Sequence, residues 1–277
     1  MPLSCAYLDL DGTLLGRGAS LVHDGEGNVS LLGARAIEAC LRADVEVVLM
    51  SGRRQSQVAE DARLLGQRAY IFEAGACLVV DGEELWMTGG FDPHGEISIH
   101  DQIERSGAPA LLLEHYDGRL EYHDPWHRNR EVSHLFRGLV DAFEADELLA
   151  RRGHDGLRLV DNGVVHRRSE RLADLPQTRA YHLVPVDASK AAAVARHRQI
   201  RGYAAEECIA IGDSREDLNV AAHVGTFWLV ANAVERDPTL REALRANVRV
   251  AEAAYGPGVY EAVVTTLAEA RGGAPAA

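Results

Sequence analysis

Leu3-Ser4-Cys5-Ala6-Tyr7-Leu8-Asp9-Leu10-Asp11-Gly12-Thr13 is the stretch on which the fold turns. A largely apolar run ends at Leu8 in two carboxylates separated by one residue. Two later runs end in the same abrupt way, Val45 to Met50 in Ser51 and Cys208 to Gly212 in Asp213. Continuous rather than alternating apolar runs of this length suit strands buried on both faces, as in a parallel sheet. Helical spacing lies between them: Leu32, Ala36, Ala39 and Cys40 fit one face, and Val58, Ala62 and Leu65 another. Strand alternating with helix predicts a doubly wound α/β domain. Ligands of such sheets bind beyond the carboxyl ends of the strands. Asp9, Ser51 and Asp213 are therefore expected together.

Between about residue 85 and residue 183 the pattern changes. Leu111–His115 and Leu120–His123 flank Asp117-Gly118, and Leu157–Val160 and Val164–His166 flank Asn162-Gly163. Both dipeptides are hairpin signals. A helical stretch is expected from about Arg130 to Arg151. The sum is a mainly antiparallel α+β insert in the parallel domain, with a disordered GGAPAA tail closing the chain.

A chain of 277 residues, 47% of them apolar, is long enough for one large domain or two modest ones. Its net charge of -13, with no long Lys/Arg run, argues against nucleic acid or an anionic membrane surface as partner. A small anionic substrate stays possible, because a cation and a few local positive groups set the field of one pocket. Cys5, Cys40, Cys77 and Cys208 form no C-x-x-C pair and have apolar neighbours, so reduced core thiols are expected. The N-terminus lacks a basic segment, and no stretch approaches the ~18 uninterrupted apolar residues of a spanning helix. The cytoplasm is the expected location.

Asp9 and Asp11 at a strand end can share one hard cation while one carboxylate stays free to attack. A calcium loop fails as an alternative, because with Gly12 as its invariant glycine Tyr7 and Gly18 would take the first and last ligand positions; a solvated Asp-Gly turn stays open as the other reading. Asp9-Leu10-Asp11-Gly12-Thr13 resembles the first motif of the haloacid dehalogenase superfamily of phosphohydrolases. Three further motifs of that superfamily have matches in order: Ser51 in Leu49-Met50-Ser51-Gly52-Arg53, Lys190 after Val186-Asp187-Ala188-Ser189, and Asp213 with Asp217 in Gly212-Asp213-Ser214-Arg215-Glu216-Asp217.

The resemblance implies a Rossmann-like core of residues 1–84 and 184–277, and a type-2 cap of residues 85–183 that sets specificity. It implies Mg2+-dependent phosphomonoester hydrolysis through an aspartyl-phosphate on Asp9, with Asp11 as acid and base. Asp9, Asp11 through its main-chain carbonyl, Asp213 and Asp217 would hold Mg2+. Ser51, Gly52, Lys190 and Asn232 would meet the phosphate. An acid two residues after the nucleophile sets phosphatases and phosphomutases apart from the superfamily's dehalogenases and ion pumps.

The likeness is closest to the Cof-like, sucrose-phosphate and mannosyl-3-phosphoglycerate phosphatase branch. There Glu-Asn-Gly-Ala usually stands where this chain has Glu73-Ala74-Gly75-Ala76. A sugar phosphate or related small metabolite is the implied substrate. The rivals are a phosphomutase of phosphomannomutase type and a non-catalytic sugar-phosphate-binding protein. Within the insert, Arg130, His134 and Arg137 follow helical spacing and are expected as a cationic stripe gripping the leaving group, with a solvated basic face as the alternative. Zinc held by His123, His127 and His134 is a third option.

Overall fold

The computed structural model describes residues 2–165 and 169–272. His166 and most of the GGAPAA tail lie outside the described residues. Eight strands form one sheet: β1 (Cys5–Asp9), β2 (Glu46–Met50), β3 (Ala69–Phe72), β4 (Cys77–Val80), β5 (Glu83–Trp86), then β10 (Cys208–Gly212), β11 (Thr226–Leu229) and β12 (Val248–Val250). Its order is β12-β11-β10-β1-β2-β3-β4-β5. All neighbours are parallel except β3–β4 and β4–β5. A second sheet contains β6 (Leu120–Tyr122), β7 (His134–Gly138), β8 (Leu157–Val164) and β9 (Arg179–Pro185), ordered β6-β7-β9-β8 and wholly antiparallel. The helices are α1 (Leu32–Arg42), α2 (Gln55–Leu64), α3 (Ile99–Ser106), α4 (Ala108–His115), α5 (Ala142–Arg151), α6 (Lys190–Arg201), α7 (Arg215–Leu218), α8 (Ala231–Arg236) and α9 (Tyr255–Ala270).

The alternation read from the sequence holds in the large sheet. Every residue of β1 and β10 is buried, as two-sided cover by helices requires. Ala36 and Cys40 turn inward from α1, Val58 and Ala62 from α2. The chain leaves β1 toward β2 on one side and returns in β10 on the other, so a switch in strand order falls beside β1. A crevice opens at such a point. Register pairs Leu8 with Ile211 and Asp9 with Met50, which brings Asp9, Ser51 and Asp213 to one edge. The four cysteines are free and buried. Among the described residues no helix is long and apolar enough to cross a membrane.

Three local expectations in the insert are corrected. Leu111–His115 belongs to helix α4, because Pro109 at its first turn and the leucines after it favour helix over strand. Asn162-Gly163 makes no hairpin. It sits inside the single strand β8, where Asp161 pairs with Tyr181 and Val164 with Arg179, a register shift that gives a one-residue bulge. The helix expected from Arg130 begins only at Ala142, after the Asp141 side chain caps the amides of Phe143 and Glu144. Residues His134–Gly138 are strand β7, hydrogen-bonded to β6 and β9 on its two sides. Tertiary pairing overrode a helix-like apolar spacing there.

Candidate active site

The Lys190 ammonium, almost without solvent exposure, donates to Asp9 Oδ1 at 2.7 Å and to Asp217 Oδ1 at 2.6 Å. Lys190 opens α6, whose preceding residue Ser189 caps the amide of Ala192. Burial works against its charge, yet Asp217 and Asp9 outweigh that cost and hold its pKa well above the ordinary lysine value. Asp217 is fixed by its other oxygen, which accepts from the Ser214 hydroxyl at 2.6 Å and the Ser214 amide at 3.1 Å. Asp213 receives the Arg236 guanidinium at 3.4 Å.

One oxygen each from Asp9, Asp213 and Asp217 lies within 4.8 Å of the other two. Burial pushes the Asp9 carboxyl up to about 7; Lys190 pulls it down, and Asp217 and Asp11 push it up again. Burial, then Asp9 and Asp217, raise Asp213 as well. Three crowded carboxylates with one lysine between two of them are short of positive charge, and their hard oxygens suit a small divalent cation. Gly12 is required here: at φ +87° a Cβ would lie 2.2 Å from Asp213 Oδ2.

Asp11 faces the opening and is gripped by Arg53 through two bonds of 2.6 Å, Nε to Oδ2 and Nη2 to Oδ1. Ser51 is buried at the end of β2, its Oγ accepting from the Arg53 amide at 3.1 Å. A cavity of about 350 Å³ lies over these groups, lined from the large sheet by Asp9, Asp11, Ser51 and Gly52. The other wall comes from the second sheet and its loops, where His182, Asn162, His123 and Arg130 project beside Trp126 and Leu135.

No family model matches the chain. A phosphoglycolate phosphatase of Archaeoglobus fulgidus is 28% identical to it over 232 residues, 83% of this chain and 84% of that protein. The sucrose-phosphatase of Synechocystis, solved with sucrose and phosphate, has the same fold. Its TM-score is 0.65 at 14% identity, over 95% of this chain and 98% of that one. A haloacid dehalogenase-like hydrolase from Bacteroides thetaiotaomicron matches with a TM-score of 0.61 at 17% identity, over 95% and 98%. The chain is similar to curated phosphatases over most of its length and has the fold of haloacid dehalogenase-like hydrolases.

In this chain Asn232 does not line the cavity. Its amide donates to Gly12 O at 2.8 Å and accepts from the Tyr255 amide at 2.9 Å, bracing the loop after β1 against the start of α9. The expected stripe of Arg130, His134 and Arg137 is not a face. On a strand, 134 and 137 point to opposite sides. Arg137 pairs across β6 with Glu121 at 2.7 Å, and His134 stacks on His100 at 3.8 Å. Only Arg130 reaches the cavity. It spends its donors on Gly52 O, Ser133 Oγ and Trp126 O, which makes it a strut between the loop before β7 and the loop after β2. The His123, His127 and His134 set does not converge on one point among the described residues.

His182, Asn162 and Arg53 went unread in the sequence. Arg53 stood inside a quoted motif, and the Asn-Gly of a bulge reads like that of a turn. Ala74 holds φ +58°, a left-handed conformation that Asn tolerates better than Ala. The neighbouring Glu73 carboxylate, fully buried, accepts from the amides of Glu131, Val132 and Ser133 and so ties core to cap.

His134 makes a pH prediction. Burial, then the neighbouring His100, depress its pKa from 6.5 to about 3. As pH falls from about 6.5 toward 3, the unfolded chain takes up a proton that the folded one refuses, so stability is lost across that window. His134→Phe removes the penalty. Urea midpoints of the variant relative to the parent should improve steadily from pH 7 to pH 4; parallel profiles would refute the assignment.

Proposed function

We propose that the protein hydrolyses small phosphomonoesters, a sugar phosphate or related metabolite, by a two-step transfer through Asp9. Residues 1–84 and 184–277 are read as the catalytic core and 85–183 as the cap. One observation carries the reading: the buried Asp9–Lys190–Asp217 unit with Asp213 alongside, at the carboxyl edge of the sheet and the floor of a cavity. The phosphatase relative named for phosphoglycolate supports a small substrate.

Asp9 attacks phosphorus and becomes an aspartyl-phosphate, while Asp11 gives its proton to the departing alkoxide. Asp11 then takes a proton from water, which attacks the same phosphorus, restores Asp9 and frees inorganic phosphate. Lys190 offsets charge on Asp9 and on the transferring group, and Ser51 with the Gly52 amide binds its oxygens. The Arg53 fork holds Asp11 at the mouth of the cavity.

Asp9, the Asp11 carbonyl, Asp213 and Asp217 would hold Mg2+. When bound it neutralises carboxylate and phosphate charge together.

The test is phosphate release from a panel of phosphorylated metabolites, with isomerisation followed in parallel. Release should stop in EDTA and return with Mg2+, and Ca2+ should support little turnover because its looser coordination disturbs in-line geometry. Full activity after exhaustive EDTA treatment, with no metal detectable, overturns the metal roles. Phosphate transfer without net release overturns hydrolysis.

A further inference from the structure

The wall of the cavity opposite Asp9 contains a hydrogen-bond chain that runs from Arg130 through Ser133 to His182. Arg130 Nη1 lies 2.9 Å from Ser133 Oγ, and Ser133 Oγ lies 3.1 Å from His182 Nδ1. A guanidinium only donates, so the buried Ser133 Oγ accepts from it, and among the described residues His182 Nδ1 is the one recorded acceptor for the hydroxyl's own hydrogen. Nδ1 therefore accepts, and the ring proton sits on Nε2. Both Arg130 and Ser133 are locked in place. Arg130 also grips Gly52 O, and the Ser133 amide donates to buried Glu73 at 2.6 Å.

His182 Nε2 is the ring atom that meets the phosphate loop. A Cβ placed on Gly52 would lie 2.8 Å from it and 3.0 Å from Asn162 Nδ2. The strand pairing explains the convergence. On β9, His182 stands opposite Leu135 of β7, so both share the cavity face, and the bulge of β8 falls at Asn162 beside them. Leu135, Trp126 and Val165 supply the apolar remainder of that wall. Burial, with the positive charge of Arg130 and Lys190, keeps the imidazole neutral and stops it from acting as a second cation.

We infer that His182 is the specificity-determining residue of the cap: held as the Nε2–H tautomer by Arg130 and Ser133, it acts with the Asn162 amide as a pair of donors next to the phosphate loop. The substrate class this selects is a phosphomonoester whose alcohol carries an acceptor oxygen, carboxylate or hydroxyl, on the carbon next to the ester. An ester without one leaves two N–H groups facing the leaving group unpaired, which is a stronger penalty than any gain from fit. The inference rests on the phosphatase reading of the core site.

The experiment compares kcat/KM for 2-phosphoglycolate and for glycerol 3-phosphate with that for ethyl phosphate, all with Mg2+. The first probes a carboxylate acceptor, the second a hydroxyl, and ethyl phosphate offers none. In His182→Phe the ratio of the preferred acceptor-bearing ester to ethyl phosphate should fall about tenfold, and His182→Gln, which keeps an N–H, should recover part of it. Ser133→Ala should lower the ratio by a smaller factor, because the freed ring samples both tautomers. Independently, 15N spectra of the parent, with His182 assigned by its loss in His182→Gln, should show Nδ1 unprotonated and Nε2 protonated. An unchanged ratio in both His182 variants, equal proportional losses on all three esters, or a protonated Nδ1 overturns the inference alone. A parent that hydrolyses none of the esters overturns the core reading and this inference with it.

Discussion

Asp9→Asn protein should fold, bind its substrate and release phosphate roughly 10³-fold more slowly or worse. The side chain keeps its shape, and Asn Oδ1 can still accept the 2.7 Å bond from Lys190. What disappears is the carboxylate that would form the proposed covalent intermediate and one charge of the three-carboxylate cluster. Folding should tolerate the change, because burial already pushes the Asp9 carboxyl up to about 7, so the site resists its charge when no cation is present. Single-turnover assays with a chromogenic ester, beside near-UV spectra of the same sample, check both halves. Near-parental turnover by folded Asp9→Asn protein would remove the covalent route.

Much of that site was legible from residues alone, and the reason is physical. β1, β2 and β10 are buried on both faces apart from Glu46 at the start of β2, so their sequences are largely apolar runs, and each run stops where the strand reaches the cavity. Chemistry and strand end therefore coincide in the string of letters. Lys190 was read through the resemblance to the haloacid dehalogenase motifs, and Ser189 before it caps the helix that it opens. The cap was not legible in detail. Its small sheet has short strands whose faces meet helices, core loops and cavity in turn, so His134–Gly138 carries no clean period of two. His182 shows the limit most clearly. It lies in an ordinary strand segment, Ala180-Tyr181-His182-Leu183, and nothing there names Ser133 or Gly52 as its neighbours. Arg130 was picked for its charge, and its hydrogen bonds turned out to go to main-chain carbonyls and a hydroxyl, with the buried Glu73 carboxylate 3.8 Å away.

Lys190→Met should be costly twice over. The substitution keeps length and apolar stem but removes the ammonium that two carboxylates share, Asp9 at 2.7 Å and Asp217 at 2.6 Å. Breaking a buried ion pair by deleting one partner typically costs about 3–5 kcal/mol, because the remaining charge stays buried and uncompensated. Here two partners and the nearby Asp213 are left in that position, so urea denaturation in EDTA should show a loss in that range. Turnover should fall by roughly 100-fold or more, since the transferring phosphoryl group loses a preorganised positive charge. Adding Asp217→Asn separates the two effects. The asparagine can keep accepting from Ser214 while removing one of the repelling charges, so the double variant should regain much of the stability but none of the turnover. Purely additive stability losses in that cycle would mean that Lys190 and Asp217 are not energetically coupled, and that lysine serves the fold through its stem alone.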